Sequence, residues 1–136
     1  MKRNITPRGY RNNNPLNIRI SSDLFQGEVR PSRDKSFKQF ETMAYGYRAA
    51  FRILRNYYNR YSLKTIRQII NRWAPSSEND TEAYITHVSD YSGIPADATI
   101  NIYSEQQMCA IVAGMSLMEN GRTPDLADIL TGWSML

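Results

Sequence analysis

Six glutamates, one histidine and one cysteine define the chemistry open to this 136-residue chain. A lone Cys109 excludes a disulfide scaffold and a cysteine-based zinc site, and a lone His87 excludes a multi-histidine metal site. The chain has no glycine-rich phosphate loop and no nucleophile elbow, so no metal and no cofactor is expected. Acid–base chemistry must then come from carboxylates. Glu82 and Glu105 each fall in a first helical turn, where an acid stabilises the helix, and that placement accounts for both. Glu119 falls instead in the last turn of an apolar run, where the helix end disfavours negative charge, with Met115 and Met118 beside it. Helix-end field and desolvation both favour the neutral acid, the form needed to protonate a glycosidic oxygen near neutral pH. A solvated acid at a frayed helix end is the plainer alternative.

A second carboxylate across a cleft would complete the usual glycosidase pair. Glu28, among Arg30, Arg33 and Lys35, is the candidate; Glu41 competes with it, and a surface salt bridge is the simpler role for either. The segment Arg8-Gly-Tyr-Arg-Asn-Asn-Asn-Pro-Leu-Asn-Ile-Arg19 concentrates amides. Asn13, Asn14 and Asn17 offer donors and acceptors suited to sugar hydroxyls and N-acetyl groups, and the same residues build turns. Tyrosines between 47 and 61 could stack on sugars or bases, although at helical spacing an aromatic stripe more often forms core.

These groups need elements to hold them. Residues 1–19 have a loop composition, and residues 24–41, with Gly27 and Pro31, suit a short hairpin or structured loop. Tyr47, Ala50, Phe51, Leu54, Tyr57, Tyr58 and Tyr61 predict a helix over 45–61. A second helix carries Leu63, Ile66, Ile69, Ile70 and Trp73 and stops before Pro75. Asp80 or Thr81 caps a third, with Tyr84, Ile85, Val88 and Tyr91, closed by Gly93. Ser104-Glu-Gln-Gln107 has the form of a capping box, and Gly121 closes the helix that it opens. Thr123-Pro124 starts a short final helix, with Gly132 beyond it. The expected class is predominantly α, α+β in type, in a single domain spanning 1–136.

Charge is divided along the chain. Residues 1–72 hold 16 Lys/Arg and four acids, while residues 73–136 hold one Arg and nine acids, so the two parts carry +12 and −8 and sum to +4. Either the basic part faces a polyanion or the two parts neutralise each other across the fold. The basic residues form no recognisable recognition helix or RNA motif, which argues against nucleic acid as partner. No apolar run approaches the roughly 20 residues that span a bilayer. The start, Met-Lys-Arg-Asn-Ile-Thr-Pro7, lacks the apolar core of a signal peptide, so synthesis in the cytoplasm without one is expected.

Two resemblances add to this reading. Asn12-Asn-Asn-Pro-Leu-Asn-Ile-Arg19, Phe25-Gln-Gly27, Phe37-Lys-Gln-Phe40, Gly46-Tyr-Arg-Ala-Ala-Phe51 and Trp73-Ala-Pro-Ser-Ser-Glu-Asn-Asp-Thr81 with Tyr84-Ile resemble a family of small phage-type virion structural proteins. That resemblance implies a place in a phage particle, with other virion proteins as partners. Separately, Ala110-Ile-Val-Ala-Gly-Met-Ser-Leu-Met-Glu-Asn-Gly121 resembles the catalytic helix of lysozyme-like lytic transglycosylases and flagellar-type glucosaminidases. Transglycosylases end that helix in Glu-Ser-Gly, and the Asn-rich piece that follows it there stands here at residues 13–18. Asp80-Thr-Glu-Ala-Tyr84-Ile-Thr-His-Val88 is similar to a later transglycosylase segment that places Tyr84 on the site. Read in order, the pieces match a lysozyme-like domain whose catalytic helix has moved from front to back by circular permutation.

This second resemblance implies a peptidoglycan-cleaving glycosidase acting on glycan strands. Glu119 would be the acid, Glu28 a loosely matched second acid, and Asn13, Asn14, Asn17 and Tyr84 would line the site. The Gly-Leu-Met-Gln motif of transglycosylases is absent, which leaves anhydro-ring formation and hydrolysis both open. The alternative is a non-catalytic virion or wall-binding protein that keeps the lysozyme-like shell. A permuted chain requires Glu119 to lie beside Asn13, Asn14 and Asn17.

Overall fold

A computed structural model describes residues 5–77 and 79–136, so the sequence start at 1–4 and Glu78 lie outside the described residues. The fold is predominantly α with one small hairpin, an α+β arrangement. Its elements run α1 (Arg8–Arg11), β1 (Glu28–Val29), β2 (Gln39–Phe40), α2 (Met43–Tyr61), α3 (Ile66–Trp73), α4 (Thr81–Ser92), α5 (Glu105–Asn120) and α6 (Leu126–Ser134). The two strands are antiparallel, with Glu28 opposite Phe40 and Val29 opposite Gln39, and a further bridge joins Arg19 to Phe37.

Helix starts follow side-chain chemistry. Thr42, Thr65, Asp80, Ser104 and Asp125 each accept a hydrogen bond from a first-turn backbone N–H, satisfying a donor that the helix itself cannot. At α5 only half of the capping box forms. Ser104 accepts from the Gln107 N–H, while Gln107 Oε1 accepts from the Asn101 N–H, which ties the preceding loop to the helix instead.

Three expectations need correcting. Arg8–Arg11 is a short helix rather than loop. The α3 pattern begins at Ile66 and not at Leu63, because Ser62 adopts a left-handed conformation (φ 54°) and breaks the run after α2. The final helix begins at Leu126, capped by Asp125, and runs through Gly132 rather than stopping before it. Gly132 is there for contact: a Cβ would sit 2.8 Å from the Ala44 carbonyl oxygen and 2.9 Å from Tyr47 Cβ, so α6 lies hard against α2. Gly132→Ala is expected to cost about 1–3 kcal/mol as overpacking against backbone, read as a lower urea midpoint at unchanged m-value.

The main core joins Tyr47, Phe51 and Leu54 of α2 with Ile66, Ile69 and Ile70 of α3, Ile85 and Val88 of α4, and Ile111, Val112 and Met115 of α5. A second, smaller cluster, Ile18, Phe40 and Ala49, fastens the hairpin to α2. The tyrosine stripe therefore divides. Tyr47 is fully buried with its hydroxyl 2.8 Å from Ser116 Oγ, whereas Tyr57 reaches the surface and packs edge-on to Trp73.

Candidate active site around Glu119

Glu119 sits in the last turn of α5, and the Asn-rich segment wraps that end of the helix. Asn120 Nδ2 donates 2.7 Å to the Pro15 carbonyl, and Gly9 lets α1 approach closely enough that a Cβ there would meet Asn120 Oδ1. Two donors converge on the Glu119 carboxylate. Asn17 Nδ2 donates 3.0 Å to Oε1, across 102 residues of sequence, and Tyr84 Oη donates 2.9 Å to Oε2 from α4. Asn17 adopts a left-handed conformation (φ 52°), which asparagine tolerates better than most residues and which is part of the turn that aims its amide at the acid.

The carboxylate closes one end of a cavity of about 190 Å³ lined by Leu16, Asn17, Arg19, Phe37, Trp73, Ala74 and Asn79. Burial is the largest influence on Glu119 and raises its pKa above the usual carboxylate value; the Asn17 and Tyr84 hydrogen bonds and the Arg19 charge oppose it. Leu16 and Ala74 are buried and the ring of Trp73 half-buried, and these line the cavity, whereas Met118 is exposed and Met115 lies in the main core outside the lining. Tyr84 is held well above its ordinary value by burial and then by the adjacent carboxylate, so it acts as a hydrogen-bond donor. A second cavity of about 220 Å³ continues from the first, sharing Asn17, Arg19 and Trp73 and adding Ile18, Ile53 and Tyr57. Among the described residues lining the two, Glu119 is the one carboxylate.

The other predicted residues stand apart from this carboxylate. Asn14 is fully buried; its Nδ2 donates to the Ile18 and Lys38 carbonyls and its Oδ1 accepts from the Ile18 N–H, so it holds the turn beneath the site. Asn13 Nδ2 donates to the carbonyls of Phe40 and Glu41, tying the segment to the hairpin. Glu28 lines neither cavity. Its carboxylate accepts from Lys38 Nζ at 3.0 Å, from Arg30 Nε at 3.2 Å and from the Phe25 N–H, and Lys38 Nζ also donates to the Ser21 and Asp23 carbonyls. Glu28 is thus the knot of the lobe facing α2. Glu41 is exposed just before α2, ahead of its Thr42 cap.

Arg19, Phe37, Trp73 and Asn79 are neighbours that spacing alone did not single out. Trp73 carried a usable signal, a large aromatic at the very end of a helix just before Ala-Pro. A larger cavity, about 580 Å³, opens beside Arg8, Arg11, Arg33 and Lys35, but its one acid, Asp34, is held below the usual carboxylate range by Arg8 and cannot serve as a proton donor.

Removing the Tyr84 hydroxyl tests this electrostatic balance. The Tyr84 bond stabilises the charged form of Glu119, so Tyr84→Phe is expected to raise the Glu119 pKa further. A site-specific carboxyl titration followed by NMR should show the midpoint moving upward; a downward shift would contradict the assignment.

No protein-family model matches the chain. Over 124 residues it is 44% identical to Protein P5 of Pseudoalteromonas phage PM2, an alignment covering 89% of this chain and 76% of that protein.

Proposed function

The chain belongs to the family of Protein P5 of Pseudoalteromonas phage PM2, and from that membership we propose that it is a structural component of a phage particle carrying a lysozyme-like site that cleaves peptidoglycan. The observation that supports cleavage is the meeting of Glu119 with Asn17 across 102 residues, inside a partly dry, aromatic-lined cleft. Of the three asparagines that a permuted lysozyme-like chain would bring to this acid, Asn17 reaches it, while Asn13 and Asn14 bond backbone carbonyls of the hairpin and its turn.

In this reading Glu119 is neutral when glycan binds. It gives its proton to the oxygen linking N-acetylmuramic acid to N-acetylglucosamine as the C–O bond breaks. The resulting carboxylate, steadied by Asn17 and Tyr84, then takes a proton from the muramic acid's own hydroxyl as that oxygen closes an anhydro ring. One carboxylate suffices for both transfers. Ring closure is favoured over attack by water because Glu28 is bound to Lys38 and Arg30 and stands outside the cavities at Glu119. Trp73 and Tyr57 offer ring faces and edges to the sugars, and Asn79 and Arg19 offer polar contacts.

Phage-family membership favours a second reading, a virion or wall-binding component without catalysis. Purified sacculi separate the two. Soluble muropeptides with anhydro ends by mass spectrometry support the lytic reading, reducing ends replace ring closure by hydrolysis, and co-sedimentation without released fragments leaves the structural role alone.

A further inference from the structure

A further cavity adjoins the two at Glu119. A third cavity, about 430 Å³, shares Ile53 with the second and lies between α2 and the lobe that Glu28 and Lys38 hold in place. Its helical wall is a single stripe: Arg48, Arg52, Asn56 and Arg60 recur every fourth residue, so they stack along one face of α2 over about 18 Å. Arg52 and Arg60 are exposed and, among the described residues, neither is ion-paired; Arg48 is tethered through Nε to the Met135 carbonyl. Asp23 is the one acid among the described lining residues, against three arginines. Three guanidinium groups in a row, on a path running to a catalytic acid, suit a polymer carrying carboxylates at intervals.

We propose that the α2 arginine stripe is a substrate subsite that binds the carboxylates on the short peptide arms of the wall glycan, placing an arm-bearing sugar several residues away from the bond at Glu119. The proposal rests on the lytic reading for its polymer, and binding can be measured without cleavage.

The full chain carrying Glu119→Gln is sedimented with native sacculi and with sacculi whose carboxylates have been converted to neutral amides by carbodiimide and ethanolamine. Affinity for native walls is expected to exceed that for neutralised walls by about fivefold or more, the worth of two or three exposed charge pairs. Adding Arg52→Gln and Arg60→Gln should remove about that same factor on native walls and change nothing on neutralised ones. Adding Arg11→Gln and Lys35→Gln, which removes the same charge from the other basic cavity, should leave binding within about twofold.

Equal binding to both wall preparations overturns the subsite, and that comparison needs no variant of the stripe to fold. So does an equal loss from the Arg11/Lys35 pair, which would mean diffuse attraction, and so does an absence of sedimentation. Displacement by duplex DNA at charge concentrations below that of the wall would reassign the stripe to nucleic acid. If the unmodified chain releases no muropeptides while the binding pattern holds, the lytic reading fails and the subsite stands. Release of muropeptides without the pattern gives the reverse.

Discussion

Replacing Glu119 by Gln is expected to abolish clearing of cell-wall suspensions, with a loss of about 10²–10⁴-fold, the range for removal of a general acid. The substitution keeps shape and leaves Asn17 and Tyr84 with a polar partner. It deletes only the transferable proton and the negative charge. Stability provides the control. Because the folded-state pKa of Glu119 is raised, the native state holds this proton more tightly than the unfolded chain. The acid's favourable contribution is therefore fully present below the ordinary carboxylate value and is lost as pH rises through the elevated folded value. At neutral pH Glu119→Gln should be at least as stable as the parent in urea titrations, whereas at pH 4 the advantage should shrink. Loss of clearing together with retained or improved stability identifies chemistry. Equal clearing by both proteins would remove Glu119 from the reaction.

The second large effect concerns Glu28 and runs the other way. Its side chain is 6% exposed and that of Lys38 is 1% exposed, so the pair is buried: stripping Glu28 leaves Lys38 without a carboxylate, and stripping Lys38 leaves buried Glu28 with the half-exposed Arg30 alone. Lys38→Met is expected to cost about 3–5 kcal/mol. For a chain of this length that lowers Tm by roughly 10–20 °C. Glu28→Gln should behave similarly, and any loss of activity should disappear when assays are run well below the new Tm. A Glu28→Gln protein that is folded, stable and inactive would instead restore Glu28 to the reaction as a second acid.

The helical frame was readable where an apolar stripe coincides with a capping residue, as in α4 and α5, whereas the four-residue α1 has no side-chain cap and reads as loop. Ser104 and Gly121 bracket α5 in this way, and Glu119 could be located in its last turn from spacing alone. Which asparagine faces that turn was not readable. Asn13, Asn14 and Asn17 share one chemistry and one short segment, and their fates diverge through backbone angles: Asn13 and Asn17 take left-handed conformations and Asn14 turns inward to three backbone partners. The same limit hid Glu28. Among nearby cations, a ten-residue separation gives no sign that Lys38 lies across the hairpin, sealed against it. Charge division along the chain was legible as a number and not as a place: Arg8 pairs with Asp34 within the basic part itself, and Arg67 pairs with Glu82 and Asp97 across the two parts. Gly132 misled because glycine terminates helices in solvent but permits contact between them when buried.

The hydrogen bond from Asn17 to Glu119 has a temporal meaning as well as a spatial one. A ribosome makes Asn17 about 100 residues before Glu119, at several residues per second, so many seconds of synthesis pass during which the acid does not exist. Even afterwards, the carboxylate meets its donors only once a long loop has closed, among the slower events of folding. A nascent or half-folded chain therefore lacks the assembled Glu119–Asn17–Tyr84 cluster. Under the proposed lytic role, topology itself would act as a delay on activity.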